Sequence, residues 1–225
     1  IDSPAFGEAK DALLDQVSSL EAFFAETGID PSLPPKIWDQ SALTSLVSEA
    51  ITRIAAAREL GYKLGAYLNS FITTDSFNET ARKELSLLEP LFERLNQLEN
   101  VKFMGWVGGI GDQIKEILRD DPVINSHSFY LEDMIVQSEY LMSPGEEELA
   151  GELFLSGATA LRKLQGNVTS QLTWPLEDET GKVVEMPMTA VINLRGNPSE
   201  TMRRRGYEVE LSAWKSVEMP LAAAM

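Results

Sequence analysis

The chain has 225 residues, 44 % of them apolar, with 19 Lys and Arg against 35 Asp and Glu and a formal net charge of −16. At about 150 residues per domain this is one large domain or two small ones, with enough apolar content for a sizeable core. An acidic chain of this kind repels phosphate backbones, and with no cysteine and one histidine it excludes disulfide scaffolds, thiolate metal sites and the two-histidine H-E-x-x-H zinc helix.

The first residues lack the basic-then-apolar order of a signal peptide, and no apolar run approaches the ~20 residues of a bilayer span. A cytoplasmic protein without nucleic-acid or membrane partners is therefore expected, and the absent cysteines agree. Ser3-Pro4 reads as a cap with proline at the first helical position, opening a helix whose apolar face is Leu13, Leu14, Val17, Leu20, Phe23 and Phe24. Gly28 is placed to end it, and the prolines at 31, 34 and 35 hold the next stretch as a loop.

The longest helix is predicted from about residue 40 to 74, on a stripe from Leu43 through Leu46, Ile51 and Ile54 to Leu64, Leu68 and Ile72. Small residues at Ala55, Ala56, Ala57, Gly61, Gly65 and Ala66 leave room for a neighbouring helix. Ser76 and Glu79 read as a capping box for a following helix with Leu88, Leu91, Phe92, Leu95 and Leu98 inside, so the two form an antiparallel hairpin. Gly105 to Gly111 interrupts the pattern. A short helix is then expected over Gln113–Leu118, a short element from Asp121-Pro122, and a helix from Phe129 to Met142.

Ser143-Pro144-Gly145-Glu146 is a strong helix start, with the glutamate placed to bond back to the cap amide. Leu149, Leu153, Phe154, Leu161 and Leu164 continue the helical period, with Gly157 as a joint. A β-hairpin is expected from Gln171–Leu176 and Lys182–Met186 around Glu179-Thr180-Gly181, its strands kept at edges by Pro175 and Pro187. A helix over Met188–Leu194 follows, and Asn197-Pro198-Ser199-Glu200 caps a last one through Tyr207, Leu211, Trp214 and Val217. The expected fold class is mainly all-α: long antiparallel hairpins in an irregular bundle, with one small β-hairpin near 171–186. The division expected is 1–108 as the long helical region and 109–225 as a second helical region. The apolar ending at Leu221 to Ala224 reads as a fragment continuing into a further domain.

Four clusters carry residue types that could support chemistry. Gly105 to Gly111 matches neither phosphate-loop pattern, and a helix end or hinge is expected. Glu146, Glu147, Glu148 and Glu152 stand at a helix start, where the macrodipole favours carboxylates, rather than around a cation. His127 is the one possible base for a Ser-His-Asp triad, but no G-x-S-x-G elbow accompanies it, so a surface or capping histidine is expected. Arg203-Arg204-Arg205 opposes the dipole of the last helix and calls for intramolecular acidic partners in place of a bound carboxylate or phosphate. The glycosylation patterns at Asn78 and Asn167 fall in helical stretches and are read as chance.

From about residue 85 onward the order of features resembles the N-terminal region of the oligoendopeptidase F family of zinc metallopeptidases, relatives of thimet oligopeptidase. The resemblance is carried by Leu141-Met142-Ser143-Pro144-Gly145-Glu146-Glu147, by Gln171-Leu172-Thr173 before the hairpin, and by Asn197-Pro198 through Arg203-Arg204-Arg205-Gly206-Tyr207-Glu208 with Trp214 downstream. It implies a mostly helical parent that cleaves short peptides in a channel, using one zinc ion held by an H-E-x-x-H helix and a later glutamate. None of those positions exists in 1–225, so the resemblance assigns this segment no catalytic, cofactor-binding or metal residue. It implies instead a wall of the substrate channel, with the catalytic domain of the same parent chain and short peptides as partners. The alternative expectations are a free-standing helical module that binds an amphipathic partner helix, and a metal-free relative that kept only the fold.

Overall fold

The computed structural model describes every residue except Asp2, Ser76, Phe77, Asp178, Glu179 and Met225, and for Leu155 and Ala224 only the backbone. Its elements are α1 (Pro4–Thr27), α2 (Gln40–Thr74), α3 (Glu79–Gln97), a π-helical segment (Leu98–Phe103), α4 (Met104–Gly109), α5 (Gly111–Ile117), α6 (Pro122–Ser126), α7 (Ser128–Ser138) and α8 (Pro144–Phe154). A second π-helical segment (Leu155–Thr159) leads into α9 (Ala160–Gln171), β1 (Thr173–Glu177), β2 (Val183–Pro187), α10 (Met188–Asn193), a 3₁₀ turn (Leu194–Gly196), α11 (Glu200–Ser216) and α12 (Glu218–Ala224). The described fold is thus mainly helical, with one two-stranded antiparallel sheet. No described helix is long and apolar enough to cross a membrane.

The chain divides into two compact units, Ile1–Ile72 with Asn78–Leu153, and Thr73–Phe77 with Phe154–Met225. The core of the first unit is built from the predicted stripes. Leu13, Val17, Leu20 and Phe24 of α1, Leu43, Val47, Ala50, Ile54, Leu64 and Leu68 of α2, and Leu88 and Leu95 of α3 are buried together. Within each set the separations are three or four residues or sums of such steps, the spacing that puts side chains on one helix face. Leu14, by contrast, points to solvent, because the step from Leu13 rotates it off the buried face.

Gly28 closes α1 as expected. It adopts φ 74°, ψ 30° and donates its N–H to Phe24 O, while the buried Ile29 donates to the same carbonyl at 3.0 Å. Asp30 then accepts from Ser32 N at 2.8 Å and Ser32 Oγ at 2.6 Å; these bonds hold its carboxyl below the usual carboxylate range. Asn78 caps α3 through Ala81 N at 2.9 Å. Ser76, expected in that role, lies outside the described residues.

The glycine-rich stretch is where local reading and packing diverge. The chain does not hinge at Gly105 or Gly108; both lie inside α4, and the helical path breaks only at Ile110 (φ −121°, ψ 25°). A Cβ on Gly105 would stand 2.8 Å from Pro31 Cβ, and one on Gly108 only 1.9 Å from Ser138 Oγ. These glycines let the α4 backbone approach α7 and the Pro31 loop, a long-range demand that sequence spacing does not express. α7 also stops at Ser138 rather than running to Met142.

The second unit has a smaller core of Met188, Val191 and Ala213, flanked by Trp174, Met186, Val209 and Trp214. Its hairpin pairs Thr173 with Pro187 and Pro175 with Glu185; with only two strands each proline sits on an edge, as predicted. Ser199 caps α11 by accepting from Met202 N at 3.4 Å. The inner face of α11 is Met202, Gly206, Glu210 and Ala213, not the Tyr207–Leu211 line, and those two are exposed. Glu210 is buried and takes Arg195 Nε at 3.2 Å, Arg195 Nη2, and Trp214 Nε1 at 3.4 Å. α9 buries no residue at all, leaving Leu161 and Leu164 exposed.

Candidate functional site

The first unit holds a cavity of about 530 Å³ between α2, the end of α3 and the α6–α7 junction. Arg58 comes from α2, and the small Ala55 of the same helix lines the cavity beside it. Glu99 comes from the π-helical segment that extends α3. Such a segment inserts one extra residue per turn and is frequent at functional sites. Arg58 Nε donates to Glu99 Oε2, and Tyr130 of α7 donates its O–H to Glu99 Oε1 at 2.7 Å. Both Glu99 oxygens are therefore engaged. Burial, followed by the charge of Glu99 and the bond to it, raises the Tyr130 phenol well above its ordinary value.

Arg58 keeps unused capacity. Its Nη2 reaches Asn96 Oδ1 at 3.5 Å, and its Nη1 has no partner among the described residues. Asn100 donates to Asn96 Oδ1 at 2.6 Å, so the two amides stand one turn apart on the same face. His127 closes the far side. Its Nδ1 lies 2.8 Å from Val123 O, which can only accept, so Nδ1 carries the proton and Nε2 is the open nitrogen. His127 ends α6 and precedes α7, the capping position expected of it, and the hydroxyl 3.0 Å from its Nδ1 is that of its neighbour Ser126.

A second cavity of about 360 Å³ shares Arg58 and Tyr62 with the first and continues along α2. Its floor is Phe92 and Leu95 of α3, and its wall is Gly61, Gly65 and Ala66. An ideal Cβ on Gly61 would lie 3.6 Å from the Phe92 ring and one on Gly65 3.9 Å. The predicted small-residue run thus makes the side of an apolar cleft as well as room for helix packing.

The other clusters take structural roles. Glu146 accepts from Ser143 N at 3.0 Å and Ser143 Oγ at 2.6 Å, the reciprocal cap the sequence implied; both bonds hold its carboxyl below its ordinary value. Glu147 accepts from Met142 N at 3.0 Å. Of the arginine run, Arg203 donates to Asn197 O and Pro198 O, and Arg205 donates to Glu177 O with the Glu177 carboxylate 3.7 Å away. The acidic partner expected for the run is thus met at Arg205, while Arg203 is satisfied by carbonyls. Asn78 is spent on its cap, and Asn167 lies within α9.

The donor set of this chain does not fit a zinc ion. There is one imidazole and no thiol in the sequence, and among the described residues no group of three His, Asp or Glu converges on one point.

Residues 111–174 match the family described as Oligopeptidase F. That stretch runs from α5 to the start of β1 and contains both the Ser143–Glu147 helix start and Gln171-Leu172-Thr173. The fold is similar to that of oligoendopeptidase-F from Enterococcus faecium, with a TM-score of 0.74 at 13 % identity. The likeness covers 98 % of this chain and 40 % of that protein, so the chain spans well under half its length. No curated protein matches the chain. Through residues 111–174 and through its fold, the chain is similar to the N-terminal region of oligopeptidase F proteins.

Proposed function

We propose that this chain is the non-catalytic N-terminal part of a zinc-dependent oligopeptidase, and that it forms one wall of the channel in which short peptides are cleaved. The observation that carries the reading is the Oligopeptidase F match over 111–174. Zinc, its ligands and the general base come from a catalytic domain of the same polypeptide, acting in the cytoplasm. The region 1–108 supplies the wall, and 109–225 leads toward the catalytic half. α2 has 35 residues, about 52 Å at 1.5 Å rise, and α3 packs its Phe92 against Gly61. Long packed helices resist bending, and a rigid wall admits short extended peptides while excluding folded chains.

The unburied apolar side chains of α9 and the outward Tyr207 and Leu211 of α11 support a partner domain, because apolar surface left in water favours being covered. The test is cleavage of an internally quenched nonapeptide by the full-length gene product. Loss of turnover with a chelator and its return with zinc is the expected result. A downstream reading frame without H-E-x-x-H, or turnover indifferent to chelation, would refute the proposal. The 225-residue chain alone is expected to be inactive with added zinc.

A further inference from the structure

We propose that the two adjoining cavities of the first unit form a subsite for the C-terminal end of a peptide, with the terminal carboxylate on Arg58 and an apolar last side chain in the Phe92 cleft. This rests on the peptidase reading above, and it assigns a binding role to residues that reading leaves as wall.

Three features point to a carboxylate with an apolar neighbour. Arg58 is held in place by Glu99 through Nε, yet its Nη1 is unengaged and its Nη2 makes only a 3.5 Å contact. A guanidinium fixed at one edge and open at the other presents the planar fork that carboxylates bind bidentately. Glu99 balances the charge of Arg58, so what the open edge offers a carboxylate is directed N–H donors, and the Tyr130 hydroxyl holds Glu99 in place on the other side. Asn96 and Asn100 stand beside the fork, and side-chain amides, carrying a donor and an acceptor, pair with the N–H and C=O of a peptide group.

The neighbouring cleft decides the side chain. At about 360 Å³, floored by Phe92 and Leu95 and walled by two glycines and an alanine, it has room for an apolar side chain of leucine size. Asn69 also lines it but donates its amide to Gly65 O at 2.8 Å, and Arg58 is its one charged group. Because Arg58 and Tyr62 line both cavities, the carboxylate and the side chain of one terminal residue reach both at once. The π-helical turn that carries Glu99 is the backbone feature that sets this geometry.

The test is binding of acetyl-glycyl-glycyl-alanyl-leucine to the 225-residue chain by calorimetry, against the same peptide as a C-terminal amide and against one ending in glycine. The free acid is expected to bind about tenfold more tightly than either. Gly65→Leu fills the cleft without touching a charge and improves helix propensity. It should abolish the preference for leucine over glycine while keeping that for acid over amide. Arg58→Lys keeps a cation for Glu99 but loses the fork, and should bring the acid-to-amide ratio below about threefold. Equal binding of acid and amide, an unaltered leucine preference in Gly65→Leu, or no binding of any peptide at about 5 mM would each overturn the subsite. These readouts are taken on the 225-residue chain and are separate from the chelator test of the full-length protein. Failure of the subsite leaves the peptidase reading standing, whereas failure of the chelator test removes the substrate role of the subsite even where peptide binding is measured.

Discussion

Two adjacent glycines in α4 offer a sharp check on the packing of the first unit. A Cβ on Gly108 would fall 1.9 Å from Ser138 Oγ and 2.4 Å from Ser138 Cβ, whereas one on Gly109 meets nothing within 4 Å. The hydroxyl could rotate away at the expense of its 2.7 Å bond to Ile135 O, but Cβ cannot, so α4 and α7 must separate by about 1 Å. Such overpacking costs about 1–3 kcal/mol, and replacing a helical glycine with alanine returns up to about 1 kcal/mol. Gly108→Ala is therefore expected to destabilise by about 1–2 kcal/mol and Gly109→Ala to be neutral or stabilising by up to about 1 kcal/mol.

Urea unfolding followed by circular dichroism and tryptophan fluorescence reads the difference as a midpoint lowered by about 0.5–1 M in the first variant and not in the second. Because the chain has two units, the transition to follow is the one that exposes Trp106, which is buried in α4. In the Gly108→Ala background, Ser138→Gly should recover most of the loss and Ser138→Ala should not, since the 2.4 Å contact is to Cβ. Equal stabilisation by alanine at both positions would mean that α4 and α7 do not approach as described.

Phe103 is fully buried and stacks with Phe24 and Trp106, each at 6.1 Å between ring centroids, so Phe103→Ala should cost about 3–5 kcal/mol in the same assay, and a loss below about 1 kcal/mol would refute the core assignment. Tyr130, its phenol pKa raised by burial and by Glu99, should contribute no phenolate absorbance at pH 11 while the chain is folded. The sign follows from linkage: this contribution to stability is complete below the unfolded phenol value near pH 10 and is lost as pH rises toward the folded one, and Glu99→Gln should bring Tyr130 down in an absorbance titration. Glu146 has the opposite sign, since its lowered carboxyl pKa stabilises the cap above the unfolded value and the contribution is lost as pH falls through the folded one. Ser143→Ala should move the Glu146 titration upward in carboxyl-resolved NMR, and an unchanged value would show that the cap does not form.

Most elements were legible in the sequence because their signals are local. The Leu43-to-Ile72 stripe marks α2 as one long helix over 40–74, Gly28 supplies the left-handed residue that ends α1, and Ser143-Pro144 with Glu146 carries both halves of a reciprocal cap. The composition likewise determined that neither an H-E-x-x-H helix nor a thiolate zinc site can be completed from these residues, since one histidine and no cysteine supply neither ligand set. Tertiary structure alone decided that Gly105 and Gly108 serve the close approach of α4 to its neighbours, and that α11 turns Glu210 inward to meet Arg195. It also decided that Arg58, Glu99 and Tyr130, separated by 41 and 31 residues along the chain, meet around one cavity. Helix periodicity and caps depend on neighbours within a turn, whereas a charged cluster depends on which faces three distant helices present to one another; no spacing in the sequence encodes that.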